Sequence, residues 1–130
     1  MDFFKKTIAP VLLTGLWINI SESIRWVLFI KSYWIEHFHK KGMVFLEGPV
    51  NLAVWMIWGF LFAIIIFILS KKFSVVQAAL LSWAAVFVMM WIVLWNTGIL
   101  PDGMLWIAGP LSLFETYIGA FICKKLSAGR

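Results

Sequence analysis

Residues 50–69 read VNLAVWMIWGFLFAIIIFIL. After Asn51 this stretch carries no strongly polar side chain, and it has the length of about 20 residues that a helix needs to cross roughly 30 Å of hydrocarbon. Three further runs of similar length surround it: Thr7 to Ile30, Ser74 to Asn96 and Met104 to Cys123. In lipid every backbone polar group must be satisfied within the segment, so the expected elements are helices. Barrel strands would be shorter and would alternate apolar with polar residues, and these runs do not.

Composition agrees with that reading. The chain is 63% hydrophobic and 13% charged over 130 residues. A soluble domain of this size has too much surface for its volume to hide so much apolar material. The expected fold is all-α: one domain, residues 1–130, forming an integral membrane bundle of four transmembrane helices at about 7–30, 50–69, 74–96 and 104–123. Residues 31–49 form an outer loop whose first part (Ser32, Tyr33, Trp34, Ile35, Phe38) is amphipathic and expected at the membrane interface. Thr97 to Gly103 is a short turn built on Gly98, Pro101 and Gly103. The first apolar run continues past Ile18 and has no small-residue cleavage site, so it is expected to remain as a helix.

Orientation follows from the lysines. The N-terminus, the second connection and the C-terminus hold Lys5, Lys6, Lys71, Lys72, Lys124, Lys125 and Arg130. The opposite side holds Lys31, Lys40 and Lys41. The positive-inside rule predicts both termini in the cytoplasm, in a multi-pass protein of a bacterial cytoplasmic membrane. The net charge of +5 thus sits in clusters suited to topology and anionic lipid head groups, and no nucleic-acid partner is expected. A single cysteine, Cys123, argues against a thiol redox pair.

Of the nine tryptophans, this topology puts Trp26, Trp34, Trp55, Trp58, Trp91, Trp95 and Trp106 in the outer half. An interfacial aromatic belt accounts for Trp34, Trp95 and Trp106. Trp58 and Trp91 lie deeper, and two readings stand for them: ordinary packing, or an outward-opening cavity walled by Trp55, Trp58, Trp91 and Trp95 that takes an apolar or cationic ligand. Pro110, inside the fourth run, is expected to kink it and widen that cavity.

Charges inside the membrane are costly and mark functional sites by default. Glu22 and Arg25 share a helix face at i, i+3, with Asn19 a turn deeper. Glu115 lies on a stripe of Ala108, Ser112, Gly119 and Cys123, whose small side chains let another helix approach. The matching face on the third run is Ala78, Ser82 and Ala85. Arg25 makes Glu22 an ion-pair partner and leaves Glu115 as the proton carrier. With Asn51 and Asn96 at the outer helix ends, the expected binding site is Asn19, Glu22, Arg25, Asn51, Trp55, Trp58, Trp91, Trp95, Asn96 and Glu115.

Size, four helices and a glutamate in the first helix resemble the small multidrug resistance transporters in architecture. The stretch Asn19-Ile20-Ser21-Glu22-Ser23-Ile24-Arg25 does not reproduce that family's first-helix signature, so no residue role is carried over. Glu36, His37 and His39 cluster in the outer loop without a standard zinc spacing. No nucleophile elbow, phosphate loop or HExxH is present, and neither metal nor cofactor is expected. The expected function is binding or transport of a hydrophobic or cationic small molecule or lipid by a homodimer or with a partner membrane subunit. A non-catalytic accessory subunit of a larger membrane complex is the alternative, and a lipid-modifying enzyme ranks third.

Overall fold

The computed structural model describes residues 2–127; Arg130, counted above with the cytoplasmic cations, lies outside the described residues. All regular structure among the described residues is helical. Four helices are long and apolar enough to cross a membrane: α1 (Phe4–Lys40), α2 (Pro49–Ser70), α3 (Val75–Asn96) and α4 (Leu105–Ser127). The chain is accordingly a multi-pass membrane protein.

The helix ends follow local chemistry. Pro49 opens α2, where its missing N–H costs nothing. Ser74 and Gln77 cap α3 reciprocally, the Ser74 hydroxyl accepting from the Gln77 N–H and the Gln77 carbonyl accepting from the Ser74 N–H. α1 and α3 stop at glycines in the left-handed region, Gly42 (φ 74°) and Gly98 (φ 77°). In each case the next amide folds back on the last turn, Met43 N–H to the Phe38 carbonyl and Ile99 N–H to the Leu94 carbonyl.

α1 does not end at Ile30. It continues to Lys40 through a wide turn at Trp26–Ile30, in which the Lys31 N–H bonds to the Trp26 carbonyl five residues back. Residues 31–40, expected as part of a loop, form a polar helical extension with no buried residue. At about 1.5 Å per residue, the 37 residues of α1 exceed the thickness of a bilayer's hydrocarbon. The chain then turns at Gly42 and folds back, so that Phe45 stacks on Trp26 at 5.0 Å and meets Phe38 at 5.1 Å and Trp34 at 5.9 Å. His37 Nε2 donates to the Gly98 carbonyl at 2.9 Å and ties the extension to the α3–α4 turn.

Another wide turn, at Ala84–Val88, inserts one residue into α3. The buried face therefore runs Ala78, Ser82, Phe87, Trp91. Ala85, expected on that face, is exposed because the extra residue rotates it away.

α4 packs against all three other helices, and α1 and α3 flank it on either side. The two ends of the molecule pack differently. Where Thr14 shares a hydrogen bond with Cys123 and Lys124 reaches the α2–α3 turn, α1, α3 and α4 bury small residues, Thr14, Gly15, Ala78, Ala79, Gly119, Ala120 and Cys123, against Ile66 and Phe67 of α2. Small residues let helix backbones approach, which is the main source of helix association in lipid. Beyond Ala84, α3 has little backbone contact with its neighbours. Large side chains bridge that gap.

α2, expected to face lipid, does so over its first turns, where Val50, Leu52, Val54, Met56 and Ile57 are exposed. Further along it turns Phe62, Ala63, Ile66 and Phe67 into the core.

Candidate functional site

The charged residues of α1 and α4 converge. Arg25 is buried, and one terminal nitrogen, Nη2, donates to Glu22 Oε1 at 2.5 Å. Its other terminal nitrogen, Nη1, stands 3.6 Å from Glu115 Oε1. Glu115 is fully buried about 15 Å along α4 from Leu105, at about 1.5 Å per residue. Glu22 is the open member, with 24% of its side chain exposed.

Hydrogen bonding around the three is incomplete. Both Glu115 carboxyl oxygens, Glu22 Oε2, and Arg25 Nε and Nη1 have no hydrogen-bond partner. Buried polar groups are almost always satisfied in native proteins. The small residues nearby are already committed. Ser112 donates to the Gly109 carbonyl and accepts from the Trp83 indole at 2.9 Å, and Thr116 donates to the Ser112 carbonyl. Trp17 donates its indole N–H to the main-chain carbonyl of Glu115 at 2.9 Å, fixing that residue's backbone from α1.

Beside the charges lies an aromatic cluster centred on Phe87. The Arg25 guanidinium carbon sits 5.4 Å from the Phe87 ring centroid, within cation–π range. Phe87 in turn contacts Phe62 at 5.4 Å, Trp91 at 5.5 Å and Trp58 at 5.6 Å. Trp83 meets Trp91 at 6.1 Å, and Trp55 meets Trp58 at 5.8 Å. The rings interlock edge to face or tilted, the arrangement their quadrupoles favour.

This differs from the cavity expected between Trp55, Trp58, Trp91 and Trp95. Trp58 and Trp91 pack against other rings and fill the space they were expected to enclose. Trp55 is half exposed, and Trp95 is 73% exposed. Trp106 is 87% exposed. Pro110 does not widen a tryptophan cavity. It lines an apolar surface groove with Val76, Ala79, Leu80, Leu113, Phe114 and Tyr117.

The three asparagines do not join the charges either. The Asn19 amide donates to the Gly15 carbonyl at 2.9 Å and lies against Gly59 of α2, where an added Cβ would come within 2.8 Å of it. Asn19 thus serves close approach of α1 and α2. Asn96 is exposed at the end of α3, and Asn51 is partly buried in the first turn of α2. The sequence-derived set therefore separates into a convergent core of Glu22, Arg25 and Glu115, an adjoining ring pair of Trp58 and Trp91, and Asn19, Asn51, Trp55, Trp95 and Asn96 elsewhere.

Sequence reasoning missed Phe87, and Trp17 and Trp83 as hydrogen-bond donors. Phe87 falls out of phase with Ala78 and Ser82 unless the wide turn is known. Among the described residues no three of His, Cys, Asp and Glu are grouped to hold a metal. No family model, curated protein or solved structure matches the chain.

Proposed function

We propose that this protein is a small four-helix carrier or binding protein, with both ends in the cytoplasm, for a hydrophobic organic cation bound at Glu22, Arg25 and Glu115. One observation carries the reading: two carboxylates share a single guanidinium inside the protein, and three of their four oxygens lack hydrogen bonds. A cation fits that charge and would supply the missing contacts. The Phe87–Trp91–Trp58 cluster beside it offers π faces to an apolar cation.

What supports the orientation is lysine distribution. Lys5, Lys6, Lys71, Lys72, Lys124 and Lys125 belong to the end formed by the α2–α3 turn and the chain termini. Lys31, Lys40 and Lys41 belong to the other, and Lys31 lies 3.7 Å from Glu47. The positive-inside rule assigns the first end to the cytoplasm. Glu22 and Arg25 then lie nearer the outer surface, and entry is from outside through the partly open Glu22.

The test is titration of the purified protein in detergent with tetraphenylphosphonium, following tryptophan fluorescence. Trp17, bonded to the Glu115 main-chain carbonyl, is one reporter beside the site. Saturable quenching is expected, and a loss of affinity of at least tenfold in Glu115→Gln. Absence of saturable quenching in the parent protein defeats the proposal.

A further inference from the structure

We infer that the lysine-rich end of the bundle is a docking surface for anionic phospholipid, with Lys71 and Lys125 holding the headgroup phosphates. The surface shares no residue with the cation site, and it stands whether or not that site binds a cation.

The two ends of the molecule differ in charge balance. The end formed by the α2–α3 turn and the chain termini holds Lys5, Lys6, Lys71, Lys72, Lys124 and Lys125 against one acid, Asp2, among the described residues. The other end holds Lys31, Lys40 and Lys41 against Glu36, Glu47 and Asp102, and Lys31 lies 3.7 Å from Glu47. Positive charge is therefore left over at one end only, and an anionic partner complements it. Lys124 is turned inward, donating to the carbonyls of Ser70 and Phe73. The other lysines of that end are all exposed.

Side-chain geometry favours a lipid over a soluble acidic protein. α2 and α4 end alike, in Phe67-Ile68-Leu69-Ser70-Lys71 and Phe121-Ile122-Cys123-Lys124-Lys125. In each, a lysine follows a phenylalanine by one turn and lies over its ring, with Nζ 5.0 Å from the Phe67 centroid for Lys71 and 5.8 Å from the Phe121 centroid for Lys125. Side chains on a helix lean toward its N-terminus. For α2 and α4 that direction leads back into the bilayer. The two ammonium groups are thus drawn to the level where hydrocarbon gives way to headgroups, with their stems on apolar surface. Phe121 is itself 47% exposed, so its ring meets acyl chains beside Lys125. Phe3 and Phe4, both exposed, precede Lys5 and Lys6 and repeat the pairing of ring and cation at the start of α1. A lysine held at this depth meets the phosphate of a neighbouring lipid. One that served a soluble partner would extend away from the bilayer. The lipid must carry net negative charge, because the phosphate of phosphatidylcholine is already neutralised by its own ammonium.

The experiment uses the full-length protein in micelles holding equal amounts of phosphatidylglycerol and phosphatidylcholine with matched acyl chains, and counts bound lipids by native mass spectrometry. Phosphatidylglycerol adducts are expected to exceed phosphatidylcholine adducts by at least about fivefold, the ratio that one lysine near an anionic surface supplies. Lys71→Gln with Lys125→Gln removes most of that preference. Lys71→Arg with Lys125→Arg keeps it, because the charge is retained. Lys40→Gln with Lys41→Gln, at the balanced end, keeps it as well.

Equal binding of the two lipids by the parent protein overturns the inference and leaves these lysines as determinants of orientation alone. A preference that survives removal of both Lys71 and Lys125 overturns it, as does one lost equally in Lys40→Gln with Lys41→Gln. Where the double glutamine variant does not fold, Lys125→Gln alone, at an exposed position, is expected to show part of the loss. An unchanged preference in that single variant overturns the inference too.

Discussion

Arg25 Nη1 lies 3.6 Å from Glu115 Oε1 while Nη2 of the same guanidinium bonds to Glu22. One cation from α1 thus stands between an acid on its own helix and an acid on α4. Removing it leaves Glu22 without a partner. Arg25→Met is expected to lower stability by about 3–5 kcal/mol, the usual effect of breaking a buried pair from one side. Arg25→Met with Glu22→Met should recover most of that loss, because no charge on α1 is then left without its partner. Unfolding of the single and double variants in mixed detergent micelles measures the coupling; strictly additive effects count against the arrangement.

Phe87 separates packing tryptophans from interfacial ones. It is nearly fully buried and touches Phe62, Trp58 and Trp91. Phe87→Ala is expected to cost about 3–5 kcal/mol. Trp106→Ala, at an 87% exposed position, should change stability in detergent by less than about 0.5 kcal/mol. Comparable losses at the two positions would mean that the aromatic cluster does not hold the loosely packed half of the helices together.

Gly59 tests the close approach of α1 and α2. A methyl group there meets the Asn19 amide at 2.8 Å. Gly59→Ala is expected to destabilise by about 1–3 kcal/mol through overpacking, and Gly59→Ala with Asn19→Ala should recover part of the loss. A neutral single substitution would show that the two helices are not in tight contact.

Lys124 donates to the carbonyls of Ser70 at 2.8 Å and Phe73 at 3.0 Å, holding the end of α2 from α4. Lys124→Gln should cost about 1.5–3 kcal/mol, the range for hydrogen bonds that involve a charged group. Faster amide hydrogen exchange is expected in the α2–α3 turn, with α1 unaffected. Unchanged exchange in that turn would remove the clamp from the account.

The proposed orientation is checked by introduced cysteines in a background where the buried Cys123 is replaced by Ala. A cysteine at the exposed Asp102 should react with an impermeant thiol reagent applied outside intact cells. One at the exposed Lys72 should react only after the membrane is opened. The reverse pattern would put the Glu22 opening on the cytoplasmic side.

The four crossings were legible in the sequence because crossing a bilayer is a local requirement: length, apolarity and satisfied backbone are all read within one segment. The buried stripe Ala108, Ser112, Glu115, Gly119, Cys123 was legible for the same reason, since regular helical spacing carried it through α4. What failed was phase and partnership. The wide turns at Trp26–Ile30 and Ala84–Val88 each add a residue to a helix. Neither turn has a sequence mark as plain as a proline, so Ala85 was misplaced and Phe87 overlooked.

The sequence by itself therefore determined how many helices are long and apolar enough to cross a membrane, and that Glu22, Arg25 and Glu115 lie within them. Only the tertiary structure decided which of the polar and aromatic residues meet. A side chain's face on its helix is set by the local backbone. The distance across to Glu115 from Arg25, and the packing of Trp58 and Trp91 onto Phe87 in place of an open cavity, depend on how closely whole helices approach. That is fixed by where small residues let helices close up and where large side chains fill the gap between them, acting together.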